Sequence, residues 1–342
     1  MGRSFLIAIC LLWPFVIVHA QEQDSTRDDF IESYSRYFFL GPLIKRNNLE
    51  FNILSAVDIK KSYTFKANHT YSLGFNLNLF DVNLGIVFAV PLGTKSEQLY
   101  GSSDVSDLQL TAYSRRWFAD AYYQKYNGFY VQSPDVVIPT GQPFPQRPDL
   151  VTRNLGMSFA YIFNHEKFSL RAPYLFSERQ KVSKGSFLVS YVLSAFNMEA
   201  DSALIPSSRW NEWGEGASVN ELRVTSLGLA PGYSHTFVIK KFFLNMTLAL
   251  GPAHYWVLYK EAASSAQNDI RIDFYSLVRV GIGYNGERVF SGLSVTSQSR
   301  SLTYERTTFQ NSISTVRFVV GFRFLERGSL KRKATDLIPT SF

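Results

Sequence analysis

From residue 314 to residue 324 the chain alternates without a break. Val316, Phe318, Val320, Phe322 and Phe324 fall on one face of an extended segment, and Arg317, Val319, Gly321 and Arg323 fall on the other. A side-chain period of two predicts a strand with one apolar face and one polar, small-residue face. The division recurs along the chain. Tyr71, Leu73, Phe75, Leu77 and Leu79 alternate with Ser72, Gly74, Asn76 and Asn78. After a turn at Phe80-Asp81-Val82, Leu84, Ile86, Phe88 and Val90 alternate with Asn83, Gly85, Val87 and Ala89. That pair predicts a tight hairpin. Leu155, Met157, Phe159, Tyr161 and Phe163 repeat the pattern against Gly156, Ser158 and Ala160. So do Phe242, Leu244, Met246, Leu248 and Leu250 against Asn245, Thr247, Ala249 and Gly251, and Val278, Val280, Ile282 and Tyr284 against Arg279, Gly281 and Gly283. Glycine on the second face means either open volume or close packing, and at Gly281 both readings stand.

The connections sort into two kinds. Short turns fall at 164–167, 240–241 and 285–288, the last carrying an Asn-Gly hairpin signal. Long polar connections fall at 94–106, 133–150, 198–219, 261–269 and 305–312. Short turns at one end and long loops at the other are the habit of outer-membrane barrels. Counting alternating segments gives about thirteen, whereas a barrel with both ends on one side needs an even number. Segments 167–176, 185–197 and 219–235 therefore cannot all span. Either one is an inward or periplasmic excursion, or a weak strand near 34–40 is to be added. The expected fold is a single antiparallel transmembrane (outer-membrane) β-barrel of about 12 strands, with 14 as second choice.

Composition narrows the setting. The chain has 342 residues with 19 Tyr and 29 Phe, and its mean hydropathy is −0.06. In a barrel, lipid-facing and lumen-facing residues cancel in such an average. After residue 20 no stretch approaches the ~18 apolar residues of a membrane helix. Before it, Met1-Gly-Arg3, an apolar run over 5–18 and Val18-His19-Ala20 read as a secretory signal cleaved after Ala20. The expected organisation is a signal peptide at 1–20, a polar N-terminal segment at 21–45, a barrel at 46–325 and a basic periplasmic tail at 326–342, with Arg327, Lys331, Arg332 and Lys333 solvated. Cys10 lies within the signal, so the mature chain is expected to lack thiols and disulfides. The net charge of +7 is diffuse and predicts no nucleic-acid partner.

Catalytic signals are weak. His69, His165, His235 and His254 lack metal-ligand spacing, and neither a nucleophile elbow nor a phosphate-cradling loop is visible. Pairing of His235 with Ser226, or of His254 with Ser264, is the formal route to a membrane-embedded lipid hydrolase. The expectation is a chain without catalysis or cofactor. Glu50, Asp107, Asp120, Gln124, Arg279, Arg300, Arg317 and Arg323 form the expected lumen lining. Mixed carboxylates and guanidiniums either line a pore or plug it. Trp117 and Trp256 fit interfacial girdles. Arg209-Trp-Asn-Glu-Trp213 is either a docking patch or a folded-over loop anchor.

Several segments carry a family likeness. Arg116-Trp-Phe-Ala-Asp120, Gln124-Lys-Tyr-Asn-Gly-Phe-Tyr130, Arg147-Pro-Asp-Leu150, Phe168-Ser-Leu-Arg171, Gln180-Lys-Val-Ser-Lys-Gly-Ser186, Asp201-Ser-Ala-Leu-Ile-Pro206 and Gly232-Tyr-Ser-His-Thr-Phe-Val238 together resemble the Bacteroidota family of domain of unknown function 4421. The resemblance implies an outer-membrane barrel of a Gram-negative bacterium and brings no activity or catalytic residues. The last strand is similar to the C-terminal signal read by barrel-assembly machinery, with Phe318, Phe322 and Phe324 as its aromatics, although residues 325–342 follow it. The expected partners are therefore outer-membrane lipid and that machinery. The leading expected function is passive passage or binding of a small polar solute in the lumen. The alternative is a closed scaffold barrel docking partners through its long loops. The lipid hydrolase is third.

Overall fold

The computed structural model describes residues 26–325 except 56–57, 59, 80–81, 135, 214–215, 262–265 and 305–306, and for 79, 82–84 and 304 it describes the backbone alone. The signal segment 1–20 and the basic tail lie outside the described residues. Fifteen strands follow in order: β1 Ile31–Ser33, β2 Tyr37–Ser55, β3 Ser62–Lys66, β4 Ser72–Leu79, β5 Val82–Ala89, β6 Asp104–Tyr113, β7 Trp117–Gln132, β8 Gln146–Ile162, β9 Glu178–Gln180, β10 Lys184–Glu199, β11 Val219–Ile239, β12 Phe242–Glu261, β13 Gln267–Asn285, β14 Val289–Tyr304 and β15 Thr307–Leu325. Four short helices interrupt them: α1 Arg27–Phe30, α2 Thr94–Tyr100, α3 Arg171–Tyr174 and α4 Trp210–Trp213. No helix among the described residues is long and apolar enough to cross a membrane.

Thirteen strands form one antiparallel sheet, and pairing of β15 with β2 closes it. The closed ring of ten runs β2, β3, β7, β8, β10, β11, β12, β13, β14, β15 and back to β2. Strands β4, β5 and β6 extend the wall: β4 pairs with the lower half of β2, β5 with β4, and β6 with β7. No ladder joins β5 to β6 among the described residues, so β3, bridging β2 and β7 above them, closes the ring. The expected antiparallel barrel therefore holds, but its closed ring has ten strands rather than about 12 or 14, because β4, β5 and β6 extend the wall without joining the ring.

Lipid-facing side chains account for the alternation. On β12, Phe242, Met246, Leu248 and Leu250 are exposed, while Asn245, Thr247 and Ala249 are buried. About ten residue steps of ~3.3 Å from Phe242, tilted by roughly 40°, cover about 25 Å, the height of a barrel's apolar band. Exposed apolar residues of neighbouring strands continue the band, including Leu229 on β11, Phe159 on β8, Leu293 on β14 and Phe318 on β15. So continuous a belt is untenable against water and natural against lipid. Trp117 and Tyr161 face outward at its lower rim, and Trp256 faces outward higher up.

Above the belt the faces exchange roles. On β15 the inward residues of the lower half are Arg317 and Arg323, whereas those of the upper half include Phe309 and Ile313, with Gln310 and Ser312 turned outward. On β2 the inward upper residues are Leu49, Phe51 and Ile53. Beyond the membrane the strands are in water on their outside, so the barrel there buries an apolar core like any soluble domain. This inversion corrects three expectations. The wall begins at Tyr37, not at residue 46, because β2 spans from the lower rim through this upper zone. The segment 305–312 is mostly strand, since β15 opens at Thr307. Glu50 points outward, where it lies near Asn48 and Lys66.

Of the three segments that could not all span, 167–176 is the excursion, at the lower end, and the strand weighed near 34–40 is also present as the start of β2. After β8 the chain enters the barrel through α3 and returns through β9, whereas β10 and β11 both span. Strand β1 pairs with β9, bringing the N-terminal segment 27–36 under the same opening. The two short strands and α3 form a plug.

Candidate functional site

The interior is layered from the plug upward. At its base, Glu178 is 1 % exposed, accepts from Arg27 Nη2 at 2.9 Å and Ser169 Oγ at 2.5 Å, and has Arg171 Nη1 at 3.6 Å. Two guanidiniums and a hydroxyl satisfy the carboxylate, the condition for burying it. Arg323 reaches in from β15. It donates to the carbonyl of Gly286, to Phe176 O at 2.5 Å and to Asn285 Oδ1 at 2.7 Å. Its guanidinium lies 3.8 Å from the Tyr34 ring centroid, and burial pushes the Tyr34 hydroxyl up to about 12.

The plug tip is gripped by aromatics and by gaps in the wall. Phe176 has φ of 60°, a conformation that bulky residues rarely adopt, and its ring stacks on Phe290 at 4.5 Å. A Cβ at Gly292 would stand 2.5 Å from Phe176 Cζ, and one at Gly281 would touch Tyr174 at 3.4 Å. The inward glycines therefore mean close packing of the plug, which resolves the Gly281 alternatives. Arg317 donates to Tyr174 O and to Asn76 Oδ1, each at 2.7 Å, and Tyr174 Oη donates to Asn245 Oδ1 at 2.8 Å.

The middle layer holds the charged pair. Arg279, 2 % exposed, bonds the Asp120 carboxylate and donates to Tyr113 Oη at 2.8 Å. Its guanidinium lies 4.3 Å from the Phe118 ring centroid. Asp107 accepts from Gln124 Nε2 at 2.8 Å and Tyr126 Oη at 2.9 Å. Arg300 donates from Nη2 to Tyr122 Oη at 2.8 Å and to Gln298 Oε1 at 3.3 Å. Above them Phe51, Phe65, Phe196 and Phe309 pack together. The loop after β10 covers this end. Trp213, 1 % exposed, lies 5.5 Å from Tyr63, Trp210 Nε1 donates to Ile205 O at 2.9 Å, and Glu212 pairs with Lys61 at 3.0 Å. The Lys61 ammonium, hydrogen-bonded to it, holds the Glu212 carboxyl below the usual range. Of the two readings of that loop, the folded-over anchor describes it.

Seven of the eight lumen candidates thus point inward: Asp107, Asp120, Gln124, Arg279, Arg300, Arg317 and Arg323. They do not form one cluster. They divide among the Arg279–Asp120 pair, the Asp107–Gln124–Tyr126 group, Arg300 with Tyr122 and Gln298, and two arginines bonded to plug carbonyls. The last-strand aromatics Phe318, Phe322 and Phe324 face lipid, Phe324 stacking on Phe38 at 5.2 Å. His235 and Ser226 lie on opposite faces of β11: Ser226 is buried against Ser194, while His235 sits outside beside Tyr233. His254 also faces outward, against Trp256, and Ser264 lies outside the described residues. No group of three or more His, Cys, Asp or Glu among the described residues is arranged to hold a metal. Sequence reasoning missed the plug residues Tyr174, Phe176 and Glu178. Their only signal was the strand count that refused to come out even.

The closed ring and its lipid-facing belt define a transmembrane β-barrel of the outer-membrane type. The chain belongs to the family described as Domain of unknown function (DUF4421), whose model matches residues 22–324. No curated protein matches its sequence. Among solved structures it is similar to the outer membrane protease OmpT from Escherichia coli, at 8 % identity and TM-score 0.40, over 85 % of this chain and 97 % of that one. It is also similar to Ail, the attachment invasion locus protein of Yersinia pestis, at 9 % identity and TM-score 0.23, over 84 % and 99 %. The P. putida toluene transporter TodX matches at 6 % identity and TM-score 0.24, over 87 % and 91 %.

Proposed function

We propose that this protein, exported by its N-terminal leader to the outer membrane of a Gram-negative bacterium, is a closed, non-catalytic barrel that meets other molecules through its external loops. The observation that carries this reading is the plug in the lower lumen, where Arg317 and Arg323 bond the carbonyls of Tyr174 and Phe176. Passive passage of a polar solute needs a connected aqueous path. The partly open pocket beside Arg300 has only about 30 Å³, on the scale of a single water. Outside the barrel, by contrast, the loop from β7 to β8 borders a cleft of about 360 Å³ lined by Val136, Ile138 and Phe144 together with Ser62 and Thr64 of β3. Val137 on the same loop is 88 % exposed. Such an apolar loop surface above a membrane suits contact with a partner.

Planar-bilayer recording tests the closed lumen. Purified protein is expected to give no steady channel steps, and the Arg317→Ala, Arg323→Ala double variant, freed of its plug clamps, is expected to give them. Stable conductance from the unaltered protein would overturn the closed reading. For docking, a photo-crosslinking side chain at Val137 is expected to trap a discrete partner in intact cells. A trace identical to that from a lipid-belt position such as Leu248 would remove the docking role.

A further inference from the structure

Several buried arginines in this barrel keep an unpartnered nitrogen, and one of them combines two such nitrogens with no ion pair among the described residues. Arg279 has the Asp120 carboxylate. Arg317 and Arg323 lack an acidic partner among the described residues but spend both of their terminal nitrogens on carbonyl and amide oxygens. Arg300 is 5 % exposed and bonds only through Nη2, to Tyr122 and Gln298. Its Nε and Nη1 are buried without a partner. No carboxylate among the described residues forms an ion pair with it.

The neighbour across the ladder repeats the deficiency. Asn311 is the register partner of Arg300 on β15, and both its Nδ2 and its Oδ1 are buried and unpartnered. Arg300 and Asn311 border the same small, partly open pocket of about 30 Å³, whose other walls include Ser194, Ser226, Tyr255 and Phe51. A water in that space satisfies hydrogen bonds but supplies no countercharge. A guanidinium withdrawn from water and left unpaired is costly, and the deficit is met by a partner of opposite charge. The room present accepts a group of a few atoms at most.

We propose that this cavity is a binding site for a small monovalent anion of halide size, held by Arg300 Nε and Nη1 and by Asn311 Nδ2. The anion serves as the internal countercharge of the middle layer. The site requires the filled lumen but not the docking role, and its test reads a different quantity from conductance.

The probe is bromide. Protein folded in detergent is unfolded thermally in sodium bromide and in sodium gluconate at equal ionic strength, gluconate being too large for the cavity. The unaltered protein is expected to unfold at a higher temperature in bromide, and the shift is expected to vanish in Arg300→Met. If Arg300→Met does not fold, Asn311→Asp decides. It places a carboxylate opposite Arg300 and is expected to fold without halide and to lose the bromide dependence. Crystals soaked in bromide are expected to show an anomalous peak between residues 300 and 311. Equal melting in the two salts with no peak in the cavity means that only water occupies it, and overturns the proposal. A bromide effect that persists unchanged in Asn311→Asp overturns it as well.

Discussion

Replacing Asp120 by alanine removes the only carboxylate bonded to Arg279 among the described residues and leaves a guanidinium with a side-chain exposure of 3 % in the barrel interior. Breaking a buried ion pair from one side costs about 3–5 kcal/mol, because the surviving charge is stranded. Two contacts soften this: the hydrogen bond to Tyr113 Oη at 2.8 Å and the stack over Phe118 at 4.3 Å remain, each worth about 1 kcal/mol. The expected loss is therefore near the lower bound, about 3 kcal/mol, or roughly a hundredfold in the folding equilibrium. Replacing both partners, Asp120→Leu with Arg279→Met, removes the stranded charge and fills the space with apolar groups, so most of that loss is expected to return. The assay is urea unfolding of the detergent-folded barrel, followed by tryptophan fluorescence, with mobility of unheated samples on gels as a check of closure. A single variant within about 1 kcal/mol of the parent, or a double variant as damaged as the sum of the two singles, would refute the assignment.

Leu248→Arg, in the middle of the lipid-facing band of β12, is expected to cost about 2–4 kcal/mol, while His254→Arg, six residues higher on the same face, costs about 0–1; urea midpoints in lipid vesicles give both, and equal costs would mean that the belt is misplaced. Trp213→Ala empties a buried site against Tyr63 and is expected to cost about 3–5 kcal/mol, with faster protease cleavage between residues 200 and 218 as the local readout. The Glu212 carboxyl, held low by Lys61, gives a contribution that is present above the ordinary carboxylate range and lost as pH falls through the lowered value. Lys61→Ala is expected to raise the Glu212 titration midpoint in an NMR pH series, and an unmoved midpoint would show that the pair does not persist in solution.

Much of the fold was legible because lipid and the membrane-height lumen impose opposite demands on successive residues. Val316, Phe318 and Phe322 against Arg317 and Arg323 could be sorted without coordinates, and so could the lower halves of β12 and β13. The rule failed where its physical premise failed. Around Glu50 and Phe309 the strands stand above the lipid, water lies outside and the apolar residues turn inward, so the polar face reads as lumen when it is exterior. Of the candidate site, the residue types were legible but their partners were not. Asp120 and Arg279 are separated by 159 positions, and Arg317 bonds a carbonyl 143 positions away.

Alternation, joined to the sorting of short turns and long loops, therefore determined that this chain is a barrel wall and which side of each membrane-height strand meets lipid, because a period of two is a local property of an extended backbone. Only the tertiary structure decided that Arg317 and Arg323 bond to the plug, at the carbonyls of Tyr174 and Phe176. Those contacts depend on where a folded-in segment places the two carbonyls, and the inward turn that places them leaves no periodic trace in the sequence.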